Sequence, residues 1–301
     1  MFKYRAISFP LLLAFFAAMI FWQPWGRYLF LAAGTGALFL LGLEFFAMLE
    51  NIGLPSYRKT GSFLLAAGFF IVNAMNGMLF AAGGQVWNSF RIAAASWGVL
   101  LLLLVPFIGW FLLLFVKDKQ MLLKKLPVTL GGVILLFITF LPLATVFGTF
   151  WRYAYIGNVN FLFLVLVTKS MDTGGYIFGL LSNKILPGGN HKIVPSISPK
   201  KSWEGFFGGI AFSVGVALLL WKCGWQPFTM GVWMTVISGV VLALGSFAGD
   251  LTESALKRAA GIKDSANIIP GMGGVFDVLD SFIYNGMLFS VLWFVSKMNM
   301  Q

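Results

Sequence analysis

Residues 230–250 read MGVWMTVISGVVLALGSFAGD, and this stretch decides the fold. Its first twenty residues carry no charge, and the twenty-first is Asp250. A helix of about 20 residues is long enough to cross a hydrocarbon core about 30 Å thick. The stretch has no strand-like alternation and is therefore expected to be a membrane-spanning helix. The composition of the whole chain agrees. Of 301 residues, 59% are hydrophobic and only 10% are charged, and the mean hydropathy is +0.89. A soluble domain is excluded. The expected fold class is an all-α polytopic membrane protein forming one integral unit.

Working outward from 230–250, nine spans are expected, to within about three residues at each end. They fall at 6–22, 27–48, 61–83, 90–116, 126–150, 157–181, 204–222, 230–250 and 275–296. The first has the basic start and apolar run of a signal peptide but no small-x-small cleavage site before Trp22, so it reads as a retained helix. The fourth contains Pro106, where a kink or break is expected. Residues 1–150 read as N-terminal transmembrane helices. Residues 151–301 read as a catalytic transmembrane region with cytoplasmic loops at 182–203 and 250–274.

Basic residues set the orientation. With the N-terminus in the cytoplasm, fifteen Lys and Arg fall on that side and five on the other, with Lys169 inside a span. This asymmetry matches the rule that cytoplasmic loops are enriched in Lys and Arg. The formal charge of +11 thus reflects topology, and no nucleic-acid partner is expected. Such loops also attract anionic headgroups and substrates. The one cysteine, Cys223, excludes an internal disulfide and is expected to be a free thiol among apolar neighbours.

The acids locate the chemistry. Six of the ten, Glu204, Asp250, Glu253, Asp264, Asp277 and Asp280, lie in the last third of the chain. Asp250, Glu253 and Lys257 share a helical face, and Ser254 pairs with Arg258 beside it. In 270–274, PGMGG, a proline and three glycines enforce a turn. Asp277 and Asp280 follow at i and i+3 and repel each other unless a cation lies between them. Oxygen ligands alone suit Mg²⁺ or a similar hard ion. Lys169 and Asp172 share a face within the sixth span, where ionisable groups usually mark function. Gly174, Gly175 and Gly179 follow and allow close approach of a helix or ligand. In SPKKSWEG, 198–205, Ser202 is the expected N-cap of the next helix. Its free N–H groups lie beside Lys200 and Lys201 and favour phosphate. His191 sits in the long loop and is expected to be solvated.

These residues carry a resemblance. GDLTESALKRAAGIKDSANIIPGMGGVFDVLDS, 249–281, resembles the signature of the CDP-diacylglycerol synthases (phosphatidate cytidylyltransferases), S-x-x-K-R-x4-K-D, then P-G-H-G-G, then D-R-x-D. Ser254, Lys257, Arg258, Lys263, Asp264, Pro270, Gly271, Gly273, Gly274, Asp277 and Asp280 match it. SPKKSWEG is similar to that family's S-P-K-K-T-x-E-G, and Asp172, Tyr176 and Gly179 to its D-x3-Y-x2-G. Two positions depart. Met272 stands where the family has histidine and Val278 where it has arginine, so the chain reads as a divergent paralogue.

The resemblance implies a nucleotidyltransferase of phospholipid biosynthesis that joins CTP and phosphatidate to give CDP-diacylglycerol and pyrophosphate. It assigns Asp250, Asp277 and Asp280 to Mg²⁺ or another divalent cation, with a second metal ion as an option. Lys257 and Arg258 would act with them on the reacting phosphates. Ser198, Lys200, Lys201, Ser254, Lys263, Asp264 and Asp172 would bind substrate. The expected location is multi-pass in the cell's inner (plasma) membrane, with the catalytic face cytoplasmic, membrane lipids as neighbours and a homodimer as an option. The rival readings are a paralogue using another lipid phosphate or nucleotide, a member that binds without turnover, a CDP-alcohol phosphotransferase and a membrane transporter.

Overall fold

The computed structural model describes residues 11, 14–22, 25–81, 118–152, 154–225, 227 and 231–298. Among them the fold is helical, with no strand and only two isolated bridges, Lys192 with Ser202 and Ile269 with Gly273. The helices are α1 (Gly26–Asn51), α2 (Arg58–Ala81), α3 (Lys119–Arg152), α4 (Ala154–Ile185), α5 (Trp203–Lys222), α6 (Val232–Ala259), the short α7 (Val275–Leu279) and α8 (Phe282–Met298). Among the described residues, six segments are long and apolar enough to cross a membrane. They are Gly26–Asn51, Lys119–Phe140, Asn158–Ile185, Trp203–Lys222, Val232–Ala259 and Val275–Ser296. The span expected at 90–116, with Pro106, lies outside the described residues, as do parts of those at 6–22 and 61–83.

Helices overrun the expected spans where the flanking residues favour helix. The basic segment 117–125 reads as a loop by charge, yet α3 begins at Lys119. Lys, Gln, Met and Leu are good helix formers, and Asp118 accepts the Met121 N–H at 2.9 Å, as an N-cap does. Likewise α6 continues past Asp250 to Ala259. It stops before Gly261, whose φ of +69° suits a helix C-terminal glycine.

The chain divides into two compact units, residues 1–154 with 259–278 and residues 155–258 with 279–301. In the first unit α1, α2 and α3 pack against one another. Small residues make room for aromatic ones, as membrane helices require. A Cβ on Gly61 or on Gly132 would meet the Phe46 ring at 2.5 or 2.6 Å, and Phe46 is fully buried, as are Leu41, Met48 and Leu65.

In the second unit the core holds Phe163, Leu164, Val167, Leu242 and Phe289. The glycines expected to thin α4 do so against α5. A Cβ on Gly174 would meet Phe212 at 2.5 Å, and one on Gly205 would meet the Gly175 carbonyl at 2.8 Å. Cys223 departs from expectation. It is exposed at the C-cap of α5, one residue beyond the apolar stretch that would have covered it.

Candidate functional site

In the second unit a buried polar network fixes α4, α6 and α8. Asn285 on α8 donates through Nδ2 to Thr168 Oγ1 at 2.8 Å and to the Leu242 carbonyl at 2.9 Å. Ser246 on α6 donates to the Thr168 carbonyl at 3.1 Å. All three side-chain groups are fully buried. Hydrogen bonds in such surroundings are costly to break, so they hold the three helices in one register. Gly249 completes the approach. A Cβ there would collide with the carbonyl oxygen of Asp280, so only glycine lets α6 lie against the turn that enters α8.

This packing brings carboxylates together. Oxygens of Asp250, Glu253 and Asp280 lie within 4.8 Å of one another. Asp250 and Glu253 are one helical turn apart on α6, and Asp280 approaches from the turn before α8. The donor set is all oxygen and of one sign, which fits a hard divalent ion. Bound there, such an ion would supply positive charge for phosphate oxygens.

Cations surround the carboxylates. Lys201 Nζ lies 2.9 Å from Asp250 Oδ2 and 4.4 Å from the centre of the Phe247 ring. Lys257 Nζ lies 2.7 Å from Glu253 Oε1, with Glu253 only 1% exposed along its side chain. Lys169 Nζ lies 3.5 Å from Asp172 Oδ2 and 3.6 Å from Asp280 Oδ1. Ser254 donates to Asp250 Oδ1 at 3.3 Å, and Arg258 donates through Nε to the Ile197 carbonyl at 3.4 Å.

The segment 186–202 is tied to the same face. It closes at Ser202, whose hydroxyl accepts the Gly205 N–H at 3.2 Å, the N-cap that the sequence predicts. Ser198 lies in the turn before it, its carbonyl accepting from Lys201 N at 3.3 Å, while Lys200 is exposed. His191 is exposed but not merely solvated. Its Nδ1 is 2.6 Å from Glu204 Oε1, and its backbone N–H also donates to that carboxylate.

The first unit holds the other acidic group. Asp277 Oδ2 accepts from Ser265 N at 2.9 Å, Ser265 Oγ at 2.7 Å and Gly274 N at 2.8 Å. Glu44, two turns before the end of α1 and 2% exposed, accepts from Val275 N and Phe276 N at 2.8 Å each and from Ser265 Oγ at 2.7 Å. The PGMGG turn makes this possible. Gly271 and Gly273 have φ of +78° and +96°, the left-handed region that glycine enters without cost. Lys263 and Asp264 are exposed in the preceding loop.

Of the residues that sequence reasoning singled out, Asp250 and Asp280 meet directly, and Lys201, Lys257, Ser254 and Asp172 join them through ion pairs and hydrogen bonds. Glu253 was read only as a helical-face neighbour, although its i, i+3 spacing from Asp250 already placed the two carboxylates together. Glu44 was missed altogether. Its signal was an acid inside an otherwise apolar span, where the cost of burial implies a partner.

The cytidylyltransferase family model matches residues 3–296. Similar proteins carry the name phosphatidate cytidylyltransferase. One from Staphylococcus epidermidis is 42% identical over 134 residues, covering 44% of this chain and 47% of the relative. One from Staphylococcus saprophyticus is 41% identical over 131 residues and one from Staphylococcus aureus 40% identical over 131, with the same shares covered. The chain thus spans about half the length of these relatives in the matched stretch. The family match, in contrast, runs over nearly all of the sequence and takes in both acidic groups, and on that ground the chain belongs to the cytidylyltransferase family.

Proposed function

We propose that this chain is a phosphatidate cytidylyltransferase, converting CTP and phosphatidate to CDP-diacylglycerol and pyrophosphate at the cytoplasmic face of a plasma membrane. The observation that carries the reading is the convergence of Asp250, Glu253 and Asp280 within 4.8 Å, ringed by Lys169, Lys201 and Lys257. The name carried by the Staphylococcus relatives supports it, as does the positive-inside charge pattern of nine spans.

The physical problem of this reaction is that one polyanion attacks another. A phosphate monoester has a second pKa near about 6, so the attacking oxygen of phosphatidate needs no strong base. It attacks the α-phosphorus of CTP, a new P–O bond forms, the bond to the β-phosphate bridging oxygen breaks, and pyrophosphate leaves. Asp250, Glu253 and Asp280 would hold a divalent cation of the Mg²⁺ type. Lys201, Lys257 and Arg258 would turn from their present partners to phosphate oxygens and offset charge as it develops. Ser198, Lys200 and Ser254 would add contacts to the two phosphate groups. Asp277 would order the loop leading to Asp280, with Asp264 at its edge. The acyl chains would stay in the bilayer, which removes the cost of extracting the lipid.

The test is pyrophosphate release by the purified chain given phosphatidate, Mg²⁺ and each of the four nucleoside triphosphates in turn. CTP-selective release, abolished by chelation and by Asp280→Asn, is the expected result. Release with another nucleotide or lipid phosphate would favour the altered paralogue that Met272 and Val278 suggest. Nucleotide binding without release would favour a member that has lost turnover.

A further inference from the structure

We propose that Lys169 is a built-in cation of the carboxylate site, so that the chain takes up one divalent ion where its converging carboxylates would otherwise take two. The inference rests on the metal reading above and concerns how that site is completed.

A lysine within a membrane span costs about 2.5–3.5 kcal/mol at the centre even on the lenient insertion scale. A long side chain usually limits that cost by reaching toward the headgroups. Lys169 instead turns its ammonium toward acidic side chains, with 37% of the side chain exposed. Nζ lies 3.5 Å from Asp172 Oδ2, 3.6 Å from Asp280 Oδ1 and 2.5 Å from Ser281 Oγ, and 5.5 Å from the centre of the Phe282 ring. An ammonium has three N–H donors, and here three oxygens from α4 and from the turn into α8 face them. The ammonium thus has one short hydrogen bond, to Ser281 Oγ, and two longer contacts to carboxylates.

Asp280 belongs both to this arrangement and to the group it forms with Asp250 and Glu253. Four carboxylates therefore adjoin one another, Asp172 and Asp280 on one side and Asp250 and Glu253 on the other. Hard divalent ions bind carboxylate oxygens at about 2.0–2.6 Å. An ion between Asp172 and Asp280 would have to occupy the space that the Lys169 ammonium fills. The space toward Asp250 and Glu253 is flanked by Lys201 and Lys257, which lie in the segments matching the phosphate-binding motifs. Lys169 lies in neither motif, and its partners are acids and a hydroxyl of its own unit. Counted formally, four carboxylates face three ammonium groups, an excess of one negative charge. One divalent ion reverses that charge modestly, whereas two would leave the site strongly positive before substrate enters.

The test counts bound Mn²⁺ per chain in the purified full-length protein, from the electron paramagnetic resonance signal of free Mn²⁺. Wild type is expected to bind one ion and Lys169→Arg one. Lys169→Met, which keeps the side-chain length but removes the charge, is expected to bind two. Asp172→Asn, tested in case Lys169→Met fails to fold, should stay at one, because the lysine still fills the position. Two ions in wild type, a count of one in folded Lys169→Met, or a changed count in Asp172→Asn would overturn the role of Lys169. No ion bound in wild type would instead overturn the metal reading itself.

Discussion

Lys201 Nζ lies 2.9 Å from Asp250 Oδ2, so a basic residue of the loop before α5 is held by a carboxylate in the last third of α6. The ammonium also lies 3.5 Å from the Phe247 carbonyl and over the Phe247 ring, and the side chain is only 15% exposed. This pairing keeps the lysine beside the acids when no phosphate is present. Lys201→Met should therefore lower kcat/KM for CTP by about 10²-fold, the usual loss for one preorganised donor to developing charge. Lys201→Arg should recover part of it, because the charge returns with altered geometry. Steady-state kinetics at saturating phosphatidate check this. Equal activity in wild type and Lys201→Met would remove the residue from phosphate binding.

Gly249→Ala separates helix propensity from close packing. By propensity alone, alanine in a helix interior is favoured over glycine by about 1 kcal/mol, and the variant should be more stable. In α6, however, a Cβ at 249 would collide with the Asp280 carbonyl oxygen. That oxygen belongs to the backbone and has no flexible way to yield. The variant should lose most of its activity and melt at a lower temperature than wild type. A higher melting temperature with full activity would show that α6 and the turn into α8 are not in close contact.

How much of this was legible in the sequence depends on the range of the interaction. Helices were readable because a 20-residue apolar run needs no partner to declare itself, and Ser202 was readable because an N-cap acts within four residues. Asp250 with Glu253 was half readable. Their spacing fixes a shared face, but the arrival of Asp280 depends on how α6 packs against the turn into α8. The overrun of α3 to Lys119 was hidden because charge marks a membrane boundary without ending a helix. Glu44 and Ser265 were illegible as a pair, since 221 residues separate them and no local pattern links an apolar helix to a glycine-rich turn.

Ser202→Ala should cost about 1 kcal/mol, the ordinary penalty for losing an N-cap, because the hydroxyl accepts from Gly205 N at 3.2 Å. The residue is 3% exposed, so water will not replace the bond readily. Ser202→Thr keeps the hydroxyl and should be close to neutral. Paired thermal melts in the same detergent test this. A loss of equal size in both variants would mean that packing around position 202, not the cap, governs its contribution.

Glu44 offers the sharpest test of long-range order in the first unit. Its carboxylate, almost wholly buried, accepts two successive backbone N–H groups at the start of α7 and the Ser265 hydroxyl. Phe45 beside it stacks on Phe276 at 6.2 Å between ring centres. Glu44→Ala would leave the Val275 and Phe276 N–H groups without this acceptor, in a region where each unsatisfied buried group costs about 1–3 kcal/mol. Glu44→Gln has nearly the same shape but replaces one acceptor oxygen with an NH₂ group facing the same donors. It should therefore be destabilised less than alanine yet clearly below wild type. Glu44→Asp keeps the charge on a shorter stem and cannot reach all three donors, so it should fall between glutamine and wild type if charge matters more than reach. The readout is proteolysis of the 261–274 loop together with thermal melting. Faster cleavage in the order alanine, glutamine, aspartate is expected, because the Glu44 carboxylate ties the loop and the start of α7 to α1. Cleavage unchanged in Glu44→Ala would show that the glycine-rich turn keeps its form through its own backbone and Asp277 alone.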